Sequence, residues 1–166
     1  MMIKRKITSF VLLLFGVTFA QAQLSNGYKY GEQGMYHVTL NIPFSNASPF
    51  YSSPFYFYSG LDFTTKNRKV PSGLAPQVGL AYKIVENEDS ATLVSANLNA
   101  GYLFDFNKKF DNQFRVSPHL YCELAGNLQI RAGYEYMMPF RKGYPFFSIG
   151  IGPGIMFPHL VKPIGF

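Results

Sequence analysis

Eight polar side chains in the second half of the chain could carry chemistry, because they alternate along two neighbouring segments. They are Arg115, Ser117, His119, Tyr121, Glu123, Gln129, Arg131 and Glu135. Serine, histidine and glutamate together are the residue types of a hydrolase. However, residues two apart on a strand are separated by roughly 7 Å. Ser117 and His119 are therefore too far apart for the hydrogen bond that a nucleophile needs from its base. His37, Thr39 and Asn41 have the same spacing and fail for the same reason.

The same eight side chains fit a second interpretation, a polar network inside a barrel. Two arginines, Arg115 and Arg131, would then be balanced by Glu123 and Glu135, because an uncompensated buried charge is costly. We favour this network and therefore expect no catalytic residue and no enzymatic activity. Cys122 is the only cysteine, so neither a disulfide within the chain nor a metal site or other cofactor is expected.

The elements that would position these residues follow from period-two alternation of apolar and polar side chains. Seven segments show it over about the ten residues that a tilted membrane-spanning strand needs. They are Met35–Ile42, Phe55–Thr64, Pro76–Val85, Val94–Phe106, Arg115–Leu124, Leu128–Tyr136 and Phe147–Phe157. Closure of a bacterial barrel requires an even number of strands. Asn26–Tyr30 is the favoured eighth strand, and His159–Phe166, which contains Pro163, is the alternative.

Composition indicates that the apolar face of these strands meets lipid. The chain has 17 Phe and 12 Tyr, yet no apolar run after residue 22 is long enough for a spanning helix of about 20 residues. The second face is rich in glycine, serine and asparagine, which suits the narrow interior of an eight-stranded barrel. We predict an all-β fold, a closed antiparallel up-and-down transmembrane β-barrel. A soluble, lipocalin-like barrel is the alternative, and it would leave the glycine-rich face in water.

The first residues resemble a secretory signal. Lys4, Arg5 and Lys6 precede an apolar stretch over residues 7–19, and Ala20-Gln21-Ala22 supplies a small-x-small cleavage pattern. We expect a signal peptide over residues 1–22 and one barrel domain over residues 23–166; a retained anchor helix is the alternative. Three of the net +6 charges leave with the signal, which weakens the case for nucleic acid as a partner.

These features together resemble the small eight-stranded outer-membrane barrels of the OmpX, OmpW and OmpA transmembrane type, with a signal similar to those of Bacteroidota. The resemblance covers the whole mature chain but is one of pattern, since no family motif is matched. It implies a monomer placed in the outer membrane by the assembly machinery. Outer-membrane lipid A deacylases use serine, histidine and glutamate on small barrels, but their His-x-Ser-Asn type of motif is absent from this chain.

Basic residues cluster after the second, fourth and sixth of the seven segments, which places them at one end of the barrel. They are Lys66, Arg68, Lys69, Lys108, Lys109, Arg141 and Lys142, whereas Glu86, Glu88 and Asp89 lie at the opposite end. Lysine and arginine bind phosphates well, so these residues are candidate contacts for lipopolysaccharide. Solvated turn residues are the alternative.

The short break after Leu124 fixes how two strands pair. A three-residue loop that places Leu124 opposite Leu128 keeps every residue on its own face. Glu123 would then lie diagonal to Arg131, and the interior would be plugged. We therefore favour a structural, envelope-stabilising or surface-interaction role. A narrow porin-like channel for small solutes is the second hypothesis, and a membrane-embedded, lipid A-modifying hydrolase is the third.

Overall fold

Eight antiparallel strands close into one barrel in the computed structural model, which describes residues 22–44, 53–106 and 109–157. The strands are β1 Gln23–Tyr30, β2 Met35–Pro43, β3 Phe55–Thr64, β4 Gly73–Asn87, β5 Thr92–Asp105, β6 Gln113–Leu124, β7 Leu128–Met138 and β8 Lys142–Ile151. Each strand pairs with the next, and β1 pairs with β8. The predicted fold class, a transmembrane-type up-and-down β-barrel, is confirmed. In the ranges just given, no helix is long and apolar enough to cross a membrane.

The eighth strand comes from the N-terminal side of the seven predicted segments. β1 extends the favoured segment Asn26–Tyr30 back to Gln23 and pairs with β2 from Gln23–Asn41 to Lys29–Met35. The alternative, His159–Phe166, lies outside the described residues. The same holds for the basic and apolar parts of the expected signal peptide, which precede residue 22.

The two faces of the strands are inverted relative to a water-soluble domain. Outward side chains are large and apolar, and Phe57, Val78 and Leu120 are 61%, 58% and 56% exposed. Inward positions beside them are polar and buried, with Gln77 6% and His119 7% exposed. An apolar exterior of this extent is stable only where lipid covers it, since soluble monomers rarely expose large apolar patches.

The turn between β6 and β7 has the predicted three residues. Leu124 lies opposite Leu128, Glu123 opposite Gln129, and His119 opposite Gly133. Ala125 and Gly126 have φ values of 48° and 63°, so this turn uses the left-handed backbone region, which glycine adopts most easily. The predicted register of this hairpin is therefore confirmed.

The last strand differs from the prediction of Phe147–Phe157. β8 begins earlier, at Lys142, and ends at Ile151. Pro153 has no N–H with which to continue a ladder, and the chain turns inward there. The N–H of Gly152 donates to the Asn127 carbonyl and that of Gly154 to the Gly126 carbonyl. The residues after Pro153 therefore close the end of the barrel instead of lengthening its wall.

Gly79 illustrates why glycine is needed on the inward face. It lies directly opposite Tyr58, whose ring covers the position that a Cβ would occupy. We expect Gly79→Ala to lower the free energy of unfolding by about 1–3 kcal/mol through overpacking, measured by urea titration of the refolded barrel. In a Tyr58→Ala background the added cost of Gly79→Ala should be smaller, because the ring that the new methyl group meets is gone.

Gly31→Ala is the matched control for this substitution. Its Cβ would meet only the Pro145 carbonyl oxygen at 3.5 Å, an ordinary contact, so its effect should stay within about 0.5 kcal/mol. Equal losses for both variants would show that the loss of glycine itself, and not the Tyr58 ring, sets the cost.

Candidate functional site: the barrel lumen and its basic end

A cluster of four charged side chains lies in the lumen, near the ends of β1, β3 and β7 and the start of β6. Arg115 Nη1 lies 2.8 Å from Asp62 Oδ2 and 3.3 Å from Glu135 Oε1, and Lys29 Nζ lies 2.5 Å from the same Glu135 oxygen. All four side chains are buried. Two cations and two carboxylates thus neutralise one another where charge would otherwise be costly. We call Lys29, Asp62, Arg115 and Glu135 the ionic cluster.

Arg131 lies beside the ionic cluster but bonds to hydroxyl groups. Its Nη2 donates to Thr39 Oγ1 at 3.0 Å and its Nε to Ser148 Oγ at 3.2 Å. Thr39 in turn donates to Asp62 Oδ1 at 2.6 Å. Within the described residues Arg131 forms no ion pair. The expected balance of Arg131 by Glu123 is therefore wrong, because Asp62, reached through Thr39, supplies the nearby negative charge.

Glu123 is engaged by the segment that follows β8. Its carboxylate accepts hydrogen bonds from the Ile155 N–H at 2.9 Å, the Met156 N–H at 2.8 Å and the Tyr121 hydroxyl at 2.8 Å. Gly154 packs directly against this carboxylate, with no room for a Cβ. Glu123 thus anchors the chain after Pro153 across one end of the lumen.

A series of hydrogen-bonded amide side chains connects the ionic cluster to the end of the barrel at which Glu123 binds the chain after Pro153. We call this series the relay. Arg115 Nη2 donates to Gln77 Oε1 at 3.3 Å, and Gln77 donates to Asn41 at 3.1 Å. Asn41 donates to Gln23 at 3.0 Å, and Gln23 donates to Gln129 at 3.3 Å. Every member is buried, so the relay fills the cross-section with satisfied polar groups.

Apolar clusters close the lumen on both sides of these polar groups. Toward the connections after β1, β3, β5 and β7, Val70 packs with Met35 and Tyr144. Toward the β6–β7 turn, Met156 packs with Leu93 and Tyr121. Two interior cavities, both lined by members of the ionic cluster, have volumes of about 20 and 10 Å³, room for only one or two waters. Among the described residues, polar and apolar side chains therefore pack against one another across the lumen.

The serine and histidine side chains of the lumen are not arranged as a nucleophile and its base. His119 Nδ1 lies 3.1 Å from the backbone carbonyl oxygen of Ser117, and its Nε2 lies 3.4 Å from Asn97 Nδ2. Both ring nitrogens of His37 are buried without a hydrogen-bond partner among the described residues. In the same part of the chain, no group of three or more histidine, cysteine, aspartate or glutamate residues is placed to hold a metal ion.

Two members of the ionic cluster, Lys29 and Asp62, are not among the site residues predicted from the sequence. Asp62 lies on the inward face of its predicted strand, and it is the only carboxylate there, which is the signal that could have identified it. Lys29 belongs to β1, the one strand for which the sequence offered two candidate segments. Its partner Glu135 lies far along the chain, on a strand that Lys29 meets only across the lumen.

Six of the seven predicted basic residues are described, and all six are exposed at the end opposite the β6–β7 turn, which we call the basic end. They are Lys66, Arg68, Lys69, Lys109, Arg141 and Lys142; Lys108 lies outside the described residues. Lys109 Nζ donates to the Arg68 carbonyl oxygen at 3.3 Å, which joins the β3–β4 and β5–β6 connections. Lys142 Nζ lies over the Phe140 ring, 5.3 Å from its centroid.

Comparison with known proteins adds one structure. The chain matches no protein-family model and no curated protein. It is similar to the crystal structure of the outer membrane enzyme PagL, with 9% sequence identity and a TM-score of 0.44, over 79% of this chain and 99% of that chain.

This comparison corrects one expectation from the sequence, that the chain is not an enzyme. Inferring a non-enzymatic role from a small closed barrel is wrong, because the barrel to which this one is similar is an enzyme. At the identity and TM-score given above, the similarity concerns the fold alone. It assigns neither a reaction nor a catalytic residue to this chain.

Proposed function

We propose that this chain is exported, is cleaved near Ala22, and resides in the outer membrane as a monomeric barrel with a sealed lumen. Its role is structural, envelope-stabilising or surface-interacting, and its partners are outer-membrane lipid and, during insertion, the assembly machinery. The observation that carries this proposal is the lumen, in which compensated charges lie between two apolar closures.

A sealed lumen favours this role over solute conduction. A channel needs a continuous water-filled path, whereas here buried arginine, lysine and carboxylate groups bind one another across the lumen. Such charges stabilise a barrel when they are mutually satisfied, and opening a path would separate them in a low-dielectric interior. Ligands or partners would then act on the exterior wall and the connections.

The first test addresses insertion and conduction together. The refolded mature chain should migrate differently in detergent gels before and after boiling, as closed barrels commonly do, and should add no stepwise conductance to a planar bilayer. Recovery of a soluble chain without a gel shift would refute membrane insertion. A folded barrel with discrete conductance steps would instead support the channel hypothesis.

A second test addresses orientation. Short turns of membrane barrels face the periplasm, and the three-residue turn 125–127 lies at the end opposite the basic residues. In a Cys122→Ala background, Arg68→Cys and Lys142→Cys should therefore react with an impermeant maleimide in intact cells. Labelling of both variants only after the outer membrane is permeabilised would mean that the basic end faces the periplasm.

A further inference from the structure

A groove crosses the outward face of the barrel over strands β2 to β6. Its volume is about 620 Å³, within the usual range of roughly 300–1,000 Å³ for ligand pockets. The groove exists because Ser59 and Ala100 are small outward residues among large ones. Its apolar lining includes Leu40, Leu61, Val78, Tyr102 and Phe114.

Strands β3 and β5 line the groove. They continue into the β3–β4 and β5–β6 connections, which carry most of the described basic residues of the basic end. Leu61 in the groove is five residues before Lys66, at most about 16 Å along the chain at about 3.3 Å per residue, or roughly 12 Å along the membrane normal at a strand tilt of about 40°. The apolar band of an outer-membrane barrel is about 25 Å tall, and half of it is roughly 12 Å. A molecule with its apolar part in the groove would therefore place its headgroup at the level of Lys66 and its neighbours.

These two connections carry an excess of positive charge. Lys66, Arg68, Lys69 and Lys109 are all exposed, and among the described residues of the β3–β4 and β5–β6 connections only Asp111 opposes them. The hydrogen bond from Lys109 to the Arg68 carbonyl holds the two connections together above the groove. Phosphate is the anionic group that clustered lysine and arginine recognise best in a membrane.

We propose that this groove and the described basic residues above it, Lys66, Arg68, Lys69 and Lys109, form one binding site for an anionic membrane lipid whose negative charge is phosphate. An acyl chain lies against Leu61, Ala100 and Phe114, and the phosphate contacts Lys66, Arg68 and Lys69. The site rests on the proposed membrane insertion and specifies its lipid partner. Arg141, in the β7–β8 connection, and Lys142, the first residue of β8, stand outside the site and serve as its internal control.

The chain contains no tryptophan, so a single introduced tryptophan can report the lipid next to it. Phe114→Trp reports the groove, and Ile149→Trp reports the outward face of β8. Each variant is reconstituted in vesicles containing equal amounts of phosphatidylglycerol and phosphatidylcholine, with only one of the two lipids brominated in its acyl chains. The ratio of the two quenching efficiencies gives the preference for the anionic lipid at each position.

We expect phosphatidylglycerol to be preferred about fivefold at Phe114→Trp, the factor that one basic residue near an anionic surface contributes, and not at Ile149→Trp. The triple change Lys66→Gln, Arg68→Gln and Lys69→Gln should abolish the preference. Arg141→Gln with Lys142→Gln should leave it unchanged. Ala100→Leu, which fills the groove, should lower it while the charges remain.

The outcomes distinguish failure of the lipid site from failure of the proposed membrane insertion. Efficient quenching at both tryptophans with no preference at Phe114→Trp, or a preference that survives the triple change, would overturn the lipid site and leave membrane insertion intact. Absence of quenching at either tryptophan by either brominated lipid would show that the barrel does not insert, and both proposals would then fail.

Discussion

Replacing Arg115 with alanine is expected to lower the free energy of unfolding by about 3–5 kcal/mol, the range for breaking a buried ion pair by removing one partner. Arg115 contacts both Asp62 and Glu135 and also donates to Gln77. Without it, two buried carboxylates face a single ammonium group, that of Lys29. The loss is measured by urea titration of the refolded barrel, followed by the compact gel band.

Arg131→Ala is the matched comparison, because it removes the same side chain from the same lumen. Among the described residues, Arg131 bonds only to the hydroxyls of Thr39 and Ser148, so we expect a smaller loss of about 1–3 kcal/mol. Arg115→Lys should recover only part of the stability, since a lysine lacks the planar fork that reaches two carboxylates. A loss at Arg131→Ala equal to that at Arg115→Ala would contradict the ionic cluster as the main source of stability.

Glu123→Ala is expected to release the segment after Pro153 from the end of the barrel. The substitution removes the acceptor for the Ile155 and Met156 N–H groups and for the Tyr121 hydroxyl. Hydrogen bonds to a charged group contribute about 1.5–3 kcal/mol each. Met156→Cys in a Cys122→Ala background should therefore react with a maleimide at least about tenfold faster when Glu123 is also changed, since a factor of ten requires only about 1.4 kcal/mol.

Two controls test whether the Glu123 carboxylate holds the segment after Pro153. Glu123→Gln keeps one acceptor oxygen but directs an amide N–H₂ toward backbone N–H groups, so its labelling rate should lie between that of the chain with Glu123 intact and that of the Glu123→Ala variant. A cysteine introduced in place of Val70, which closes the basic end in a separate cluster, should react at an unchanged rate. Equal labelling of Met156→Cys with and without Glu123 would show that apolar packing alone holds the segment.

The wall of the barrel could be predicted from sequence because its signal is local. Alternation of apolar and polar residues depends only on the two-residue period of a strand, and it placed Phe57, Val78 and Leu120 outward and Gln77 and His119 inward. The β6–β7 register followed from the same rule, because a residue paired with the wrong face would bury an apolar side chain among charges.

The pairing across the lumen could not be predicted, because it depends on distances between strands that are not neighbours. Lys29 on β1 reaches Glu135 on β7, and Arg115 on β6 reaches Asp62 on β3. The C-terminal end of β8, at Ile151, could not be predicted for a different reason. Ile155 and Phe157 continue the alternation past Pro153, so the pattern hides the turn that sends Met156 into the lumen.

The pairing of β1 with β8 determines how the barrel folds and how it unfolds. These strands pair from Asn26–Ile151 to Tyr30–Phe147, the greatest separation in sequence within the barrel, so their closure carries the largest entropic cost of any strand pair. In lipid an open sheet leaves two edges whose N–H and C=O groups have no partner. A partly zipped sheet is therefore not a resting state in the bilayer, and unfolding should be a single cooperative event with a high kinetic barrier, in which both edge strands separate at once.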